Sequence, residues 1–333
     1  MQLIDSFGRV ATDLRVSLTD RCNLRCSYCM PAEGMQWLPS PEVLTDDEVV
    51  RLVTIATGEL GVTAVRFTGG EPLLRRGLED IVARVRAAAP DVEIALTTNG
   101  IGLARRAQAL ADAGLSRINV SLDTLRRDRF IALARRDRLD DVLAGLHAAH
   151  AAGLRPVKVN AVLIRSVNED EAAELLEFCL QHDFELRFIE QMPLDADQAW
   201  RRENVVTAEE ILRQLGERFT LTPVAGRGSS PAEHWIVDGG PATVGVIASV
   251  TRPFCRACDR TRLTADGQVR NCLFATGETD LRGLLRGDTE DGAIAQRWRE
   301  AMWGKAAAHG GGSAESPSTG FAASNRSMSL IGG

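Results

Sequence analysis

The chain has 333 residues, 44% of them hydrophobic and 25% charged, with a formal net charge of −6. These values fit a globular chain of one large domain with an appendage, or of two domains. They exclude an overall basic field for nucleic acid, and no apolar run is long enough to span a membrane. The odd count of 7 cysteines, in clustered spacings, argues against a secreted disulfide framework and fits a reducing cytosol. Residues Met1 to Asp5 lack the basic-then-apolar pattern of an export signal, so a cytoplasmic location is expected.

Residues 14–18 read as a short strand, with a cysteine-rich loop at its C-terminal end. Thr45 and Glu48 form the capping box of a helix that runs to about Leu60 and stops at Gly61. Further strands are expected at 64–68, 92–97, 117–121, 157–162 and 185–189. Helices are expected over roughly 76–88, up to Ala113, over 139–152, and from Asn168 to about Gln181. Asn168 is the expected cap of the last, with Glu171 in the capping-box position. Strands alternating with helices imply parallel pairing through right-handed crossovers. The count implies an α/β fold, an open partial (βα)6 TIM-like barrel. A helix from Thr207 to Phe219 ends the alternation, and short β-like runs follow at 235–237 and 243–247. The expected division is a barrel core over 1–222, a smaller C-terminal region over 223–303 and a flexible Gly/Ala/Ser-rich tail over 304–333.

In such barrels the chemistry lies at the C-terminal ends of the strands. Those ends carry the cysteine loop, Thr68 to Pro72, Thr97 to Gly100, Ser121 to Asp123, Asn160 and Glu190 to Met192. Each alone could be an ordinary turn; together they make a polar rim. Cys22, Cys26 and Cys29 stand in a C-x-x-x-C-x-x-C spacing, with no fourth thiol or histidine nearby. A cubane iron–sulfur cluster normally takes four thiolates, so three leave one iron open to another ligand. The plainer readings are three structural thiols, or a zinc site with a distant fourth ligand. Cys255, Cys258 and Cys272 repeat the logic, and zinc there would need Cys179 or His234. Basic residues accompany both sets: Arg15, Arg66, Lys158, Arg260 and Arg262. A buried cation is costly unless paired or facing an anion, and arginine is the favoured partner of phosphate. Arg126 to Arg129 reads as a surface charge run or an internal salt bridge.

The first cysteine motif, with Tyr28 before Cys29, and the Gly69-Gly70-Glu71-Pro72 segment resemble the radical S-adenosylmethionine (SAM) enzymes. With the C-x-x-C-Asp-Arg-x-Arg segment at 255–262 and the terminal Gly332-Gly333, nearly the whole chain resembles the GTP 3′,8-cyclase family of molybdenum cofactor biosynthesis. That resemblance implies two [4Fe–4S] clusters. Cys22, Cys26 and Cys29 would bind the one that cleaves SAM, and Cys255, Cys258 and Cys272 one that holds the guanine of GTP. Tyr28, Gly69, Gly70, Glu71, Ser121 and Met192 match the family's SAM-contacting positions. Arg15, Arg66, Thr97, Lys158, Arg260, Thr261 and Arg262 match its GTP-contacting ones. Arg260, Arg262, Gly332 and Gly333 are expected to serve cyclisation itself, the terminal pair by reaching back into the site. The implied reaction takes a hydrogen from ribose C3′ and joins C3′ to guanine C8, giving (8S)-3′,8-cyclo-7,8-dihydroguanosine 5′-triphosphate. The implied partners are a flavodoxin- or ferredoxin-like electron donor, cyclic pyranopterin monophosphate synthase downstream, and a second copy in a homodimer. One rival is a peptide-modifying twin-cluster enzyme, which would carry a larger C-terminal cysteine set. Another is a non-catalytic zinc or redox-sensing protein, which would bind zinc without iron.

Overall fold

The computed structural model describes residues 2–308, 326 and 328–332. Its strands are β1 (Asp13–Ser17), β2 (Ala64–Thr68), β3 (Glu93–Thr98), β4 (Arg117–Ser121), β5 (Val157–Val162), β6 (Glu185–Ile189), β7 (Leu221–Pro223), β8 (Glu233–Val237), β9 (Thr243–Ile247), β10 (Arg260–Leu263), β11 (Gln268–Arg270) and β12 (Thr279–Asp280). They form one 12-stranded sheet in the order β12-β11-β10-β1-β2-β3-β4-β5-β6-β9-β8-β7. Every pairing from β10 through β1–β6 to β9 is parallel. Antiparallel pairs finish both edges. The sheet stays open, as the alternation of strands and helices implies.

The strands expected before residue 190 recur to within one residue. Beyond 222 the same sheet continues: β9 extends it from β6, and β10 flanks β1. Both are short and are preceded by loops or hairpins, so no strand–helix rhythm announces them. Helices Asp46–Glu59 and Ala208–Gly216 start at the expected capping boxes, Thr45/Glu48 and Thr207/Glu210.

Helix Ala172–Gln181 corrects the expectation at Asn168 and Glu171, since neither side chain caps it. Asn168 accepts from Ile164 N at 2.7 Å and donates to the carbonyls of Asp123 and Val162, tying down the exit of β5. Glu171 is buried and accepts from Thr124 and Arg129. The charge run at 126–129 opens a helix, Arg127–Ala134, which its weak apolar period does not announce. Most of the expected flexible tail, 309–325, and Gly333 lie outside the described residues.

Strand alternation sorts the two sheet faces. Leu14, Val16, Val65, Phe67, Leu186 and Phe188 are buried against the helices. Arg15, Arg66 and Arg187, between them, face the inside of the curl and line its cavity. Burying each large aliphatic or aromatic side chain contributes about 1.5–3 kcal/mol. A one-residue slip would exchange the two sets, so this register delivers the arginines to the interior.

Candidate active site

The first cysteine set sits on the loop after β1, and three neighbours hold that loop. Arg25 N and Ser27 N donate to the carbonyls of Ala134 and Leu133, at the end of helix Arg127–Ala134. Gly70 N and Glu71 N donate to Thr19 O and Arg21 O, at 2.7 and 2.8 Å. A Cβ on Gly69 would lie 2.4 Å from Thr19 O, and one on Gly70 2.4 Å from Asp20 O. The two glycines therefore let the loop backbone pack on the end of β2, and they also line the cavity. Glu71 follows them but is fully buried outside the lining. Its carboxylate accepts from Thr98 Oγ1, Asn99 N and Leu73 N at 2.7–2.9 Å, joining the ends of β2 and β3. Burial pushes Glu71 up to about 7 against these donors. Asn99, so held, donates to Asn23 Oδ1 at 2.7 Å and to Cys22 Sγ at 3.8 Å.

One cavity of about 330 Å³ is lined by Cys22, Cys26, Cys29, Cys255, Cys258 and Cys272 together. Neither Cys179 nor His234 joins that lining, so each set remains three thiols. Cys179 is buried within helix Ala172–Gln181. Among the described residues no three His, Cys, Asp or Glu side chains converge on a point where a single ion would sit.

Burial pushes the Cys22 thiol up to about 11 and the Cys29 thiol up to about 12, so thiolates there require a cationic partner such as iron. At Cys258 burial also pushes upward, but Lys305 and Arg260 outweigh it and the thiol is lowered. Donors aimed at the sulfurs, among them Leu24 N to Cys22 Sγ at 3.4 Å, are what a thiolate-held cluster takes.

The same cavity is lined by an arginine set. Arg262, Arg15 and Arg66 are register partners across β10, β1 and β2. Arg260 and Arg187 line the same cavity, and all are under 10% exposed. Asp13 lies 3.7 Å from Arg15 and 3.9 Å from Arg66, and Asp259 lies 3.5 Å from Arg260. Among the described residues, the buried Nε of Arg15, Arg66 and Arg260 has no hydrogen-bond partner. Burial first, then like charge from Arg15, pulls Arg66 well below its ordinary value and Arg262 down to about 9. Arginine stays protonated at neutral pH, so these directions register how little the protein itself neutralises its cations. Such a cleft favours a polyanion.

The remaining expected positions divide. Tyr28, Thr97, Ser121 and Met192 line the cavity. Tyr28 donates to Asp123 Oδ2 at 2.7 Å, and Thr97 accepts from Asn119 Nδ2 at 3.0 Å. Two positions stand outside the lining. Lys158 shares a strand face with Asn160 but pairs with Glu185 at 2.8 Å. Thr261 points to the helix side, where Trp298 Nε1 donates to its hydroxyl at 3.0 Å. A lone polar residue in a strand does not declare its face until the register is known. Arg187 is a charged lining residue outside the expected strand-end set. It lies within β6 and bonds Asn160 and Asn119, and its signal is a charge between the buried Leu186 and Phe188.

The terminal segment returns to the cavity. Met328 and Ser329 line it, and a short helix, Met328–Ile331, ends at Gly332. The carbonyl of Gly332 accepts from Arg262 Nη1. Gly333 lies outside the described residues.

Residues 16–179 match the Radical SAM superfamily, and residues 184–311 match the family described as Molybdenum Cofactor Synthesis C. The crystal structure of Streptococcus suis SuiB bound to S-adenosylmethionine shares the fold. Its TM-score is 0.60 at 14% identity, over 86% of this chain and 68% of that one. The sheet and the first tripod thus define a radical SAM protein, a class that implies a [4Fe–4S] cluster and SAM. The relatives are more specific. GTP 3′,8-cyclase of Streptomyces coelicolor is 65% identical, over 99% of this chain and 96% of that protein. GTP 3′,8-cyclase 2 of Mycobacterium tuberculosis H37Rv is 58% identical, over 99% and 92%. The chain belongs to the GTP 3′,8-cyclase family. No helix among the described residues is long and apolar enough to cross a membrane.

Proposed function

We propose that this chain converts GTP and SAM to (8S)-3′,8-cyclo-7,8-dihydroguanosine 5′-triphosphate, the opening step of molybdenum cofactor synthesis. The observation that carries the reading is the row Arg262–Arg15–Arg66, with Arg260 and Arg187, buried in the cavity that both thiol tripods line, five cations against the two nearby acids Asp13 and Asp259. A triphosphate satisfies the unpartnered Nε donors and neutralises like charges that otherwise repel. Cys22, Cys26 and Cys29 would hold the cluster that supplies the electron for SAM cleavage. Cys255, Cys258 and Cys272 would hold a second cluster serving as the site for the guanine.

The chain's own task is placement. Tyr28, fixed by Asp123, and Ser121 bound the SAM side of the cavity. The arginines orient GTP so that C3′ faces the radical source, and the returning terminal segment excludes water and other hydrogen donors. Glu71, Thr98 and Asn99 act behind Cys22 as the support of its loop. The division at 222, a cytoplasmic setting, a homodimer, a flavodoxin- or ferredoxin-like electron donor and cyclic pyranopterin monophosphate synthase as the consumer of the product belong to the same reading.

Anaerobic incubation with SAM, GTP and a strong reductant, with products identified by mass spectrometry, tests it. Equimolar 5′-deoxyadenosine and cyclised nucleotide are expected, from a brown protein carrying about eight irons per chain. SAM cleavage with GTP recovered intact would defeat the substrate assignment. About four irons would defeat the second cluster.

A further inference from the structure

Lys305 follows helix Asp291–Trp303 and is only 3% exposed. It stands outside the cavity lining, behind Cys258. Its ammonium donates to Arg260 O at 2.9 Å, Cys258 O at 3.2 Å and Cys258 Sγ at 3.4 Å. Those three acceptors use all three of its protons. Two are neutral carbonyls, and among the described residues it makes no salt bridge, so the sulfur is the one acceptor that can carry charge. A buried lysine needs a charged partner, and a metal-bound thiolate supplies one.

The segment carrying Lys305 is clamped in place. Arg9 donates to Ala306 O, Ala307 O and Cys255 O at 2.6–2.9 Å, and Asp5 holds Arg9 at 2.5 Å. One guanidinium therefore joins the backbone beside Lys305 to the turn of the second tripod. The first tripod differs: the donors to Cys22 Sγ among the described residues are neutral, Leu24 N and the Asn99 amide.

We propose that Lys305 is a positioning residue that fixes the Cys258 thiolate and, through it, raises the reduction potential of the cluster on the second tripod. The proposal rests on the two-cluster reading. A fixed cation beside a ligand sulfur favours the more negative, reduced form, and the low-dielectric surroundings strengthen the effect.

The test compares the anaerobic holoenzyme with its Lys305→Met and Lys305→Arg variants by iron analysis and by potentiometric titration followed with electron paramagnetic resonance. At the potential where the wild-type second centre is half reduced, Lys305→Met should show a reduced-to-oxidised ratio about tenfold lower, or ~59 mV for a one-electron couple. Alternatively it should lose that centre alone. Lys305→Arg should stay near wild type, and the first centre should be unchanged in both. An unmoved second centre in Lys305→Met overturns the proposal. So does equal damage in both variants, which would make Lys305 a packing residue. A wild-type chain with a single centre would bring down the two-cluster reading first, and this one with it.

Discussion

Replacing Gly332 with alanine isolates the returning terminus from the rest of the site. Gly332 has φ of 78°, the left-handed region, where an L side chain costs about 1–2 kcal/mol. A Cβ there would lie 2.7 Å from Thr68 Cγ2 and 3.2 Å from Ser17 Cβ. Both neighbours are buried in paired strands, Thr68 also lining the cavity, and such overpacking costs about 1–3 kcal/mol. Together about 2–5 kcal/mol opposes the docked terminus, and each ~1.4 kcal/mol is a factor of ten in its population. Undocking also removes the carbonyl that accepts from Arg262. Gly332→Ala should therefore lower kcat/KM for GTP cyclisation about tenfold or more, and deletion of Gly332 and Gly333 should abolish it. Iron content should stay at wild-type levels, because Gly332 itself contacts no cysteine; uncoupled SAM cleavage is the control for the backbone donation from Ser329 to the Cys29 sulfur that undocking would remove. Product quantitation by mass spectrometry beside 5′-deoxyadenosine release gives the comparison. Wild-type cyclisation by Gly332→Ala would show that the docked terminus plays no part.

Arg260→Ala and Arg262→Ala each remove hydrogen bonds worth about 1.5–3 kcal/mol to a charged ligand, so kcat/KM for GTP should fall roughly ten- to hundredfold while SAM affinity holds. Unchanged GTP kinetics in both variants would count against the substrate site. Glu71 has its folded pKa raised from 4.5 to about 7 by burial, so the folded chain keeps a proton that the unfolded chain releases across that window. Its stabilising contribution is complete below the unfolded value and is lost as pH rises through about 7, amounting to about 3 kcal/mol. Denaturant titrations of metal-free protein at pH 5 and pH 7 should show that fall, and Glu71→Gln should flatten it; an equally steep fall in the variant would assign the slope to other groups.

Much of the site is legible in one dimension because its parts are local. Three thiols within one loop, two glycines ending a strand, and the Arg260/Arg262 pair beside Cys258 are each set by spacing of a few residues. The barrel strands were equally readable, since buried parallel strands are short apolar runs between capped helices. Asn168 and Glu171 show where that reading fails: their spacing fits a capping box, but the tertiary fold spends both on the exit of β5 and on Arg129.

By itself, the order of residues determined the chemistry on offer: two incomplete thiol sets, a polar rim and a stock of cations. Only the folded chain decided which cations share a cleft. Arg15, Arg66 and Arg262 are distant along the chain and become neighbours because β10 pairs beside β1, a parallel contact with no helix to announce it. The same sheet leaves Thr261 against Trp298 and Lys158 against Glu185, and brings Arg187 inside. Side-chain direction in a strand alternates every residue, so only the register tells inside from outside, and register is a property of the whole sheet.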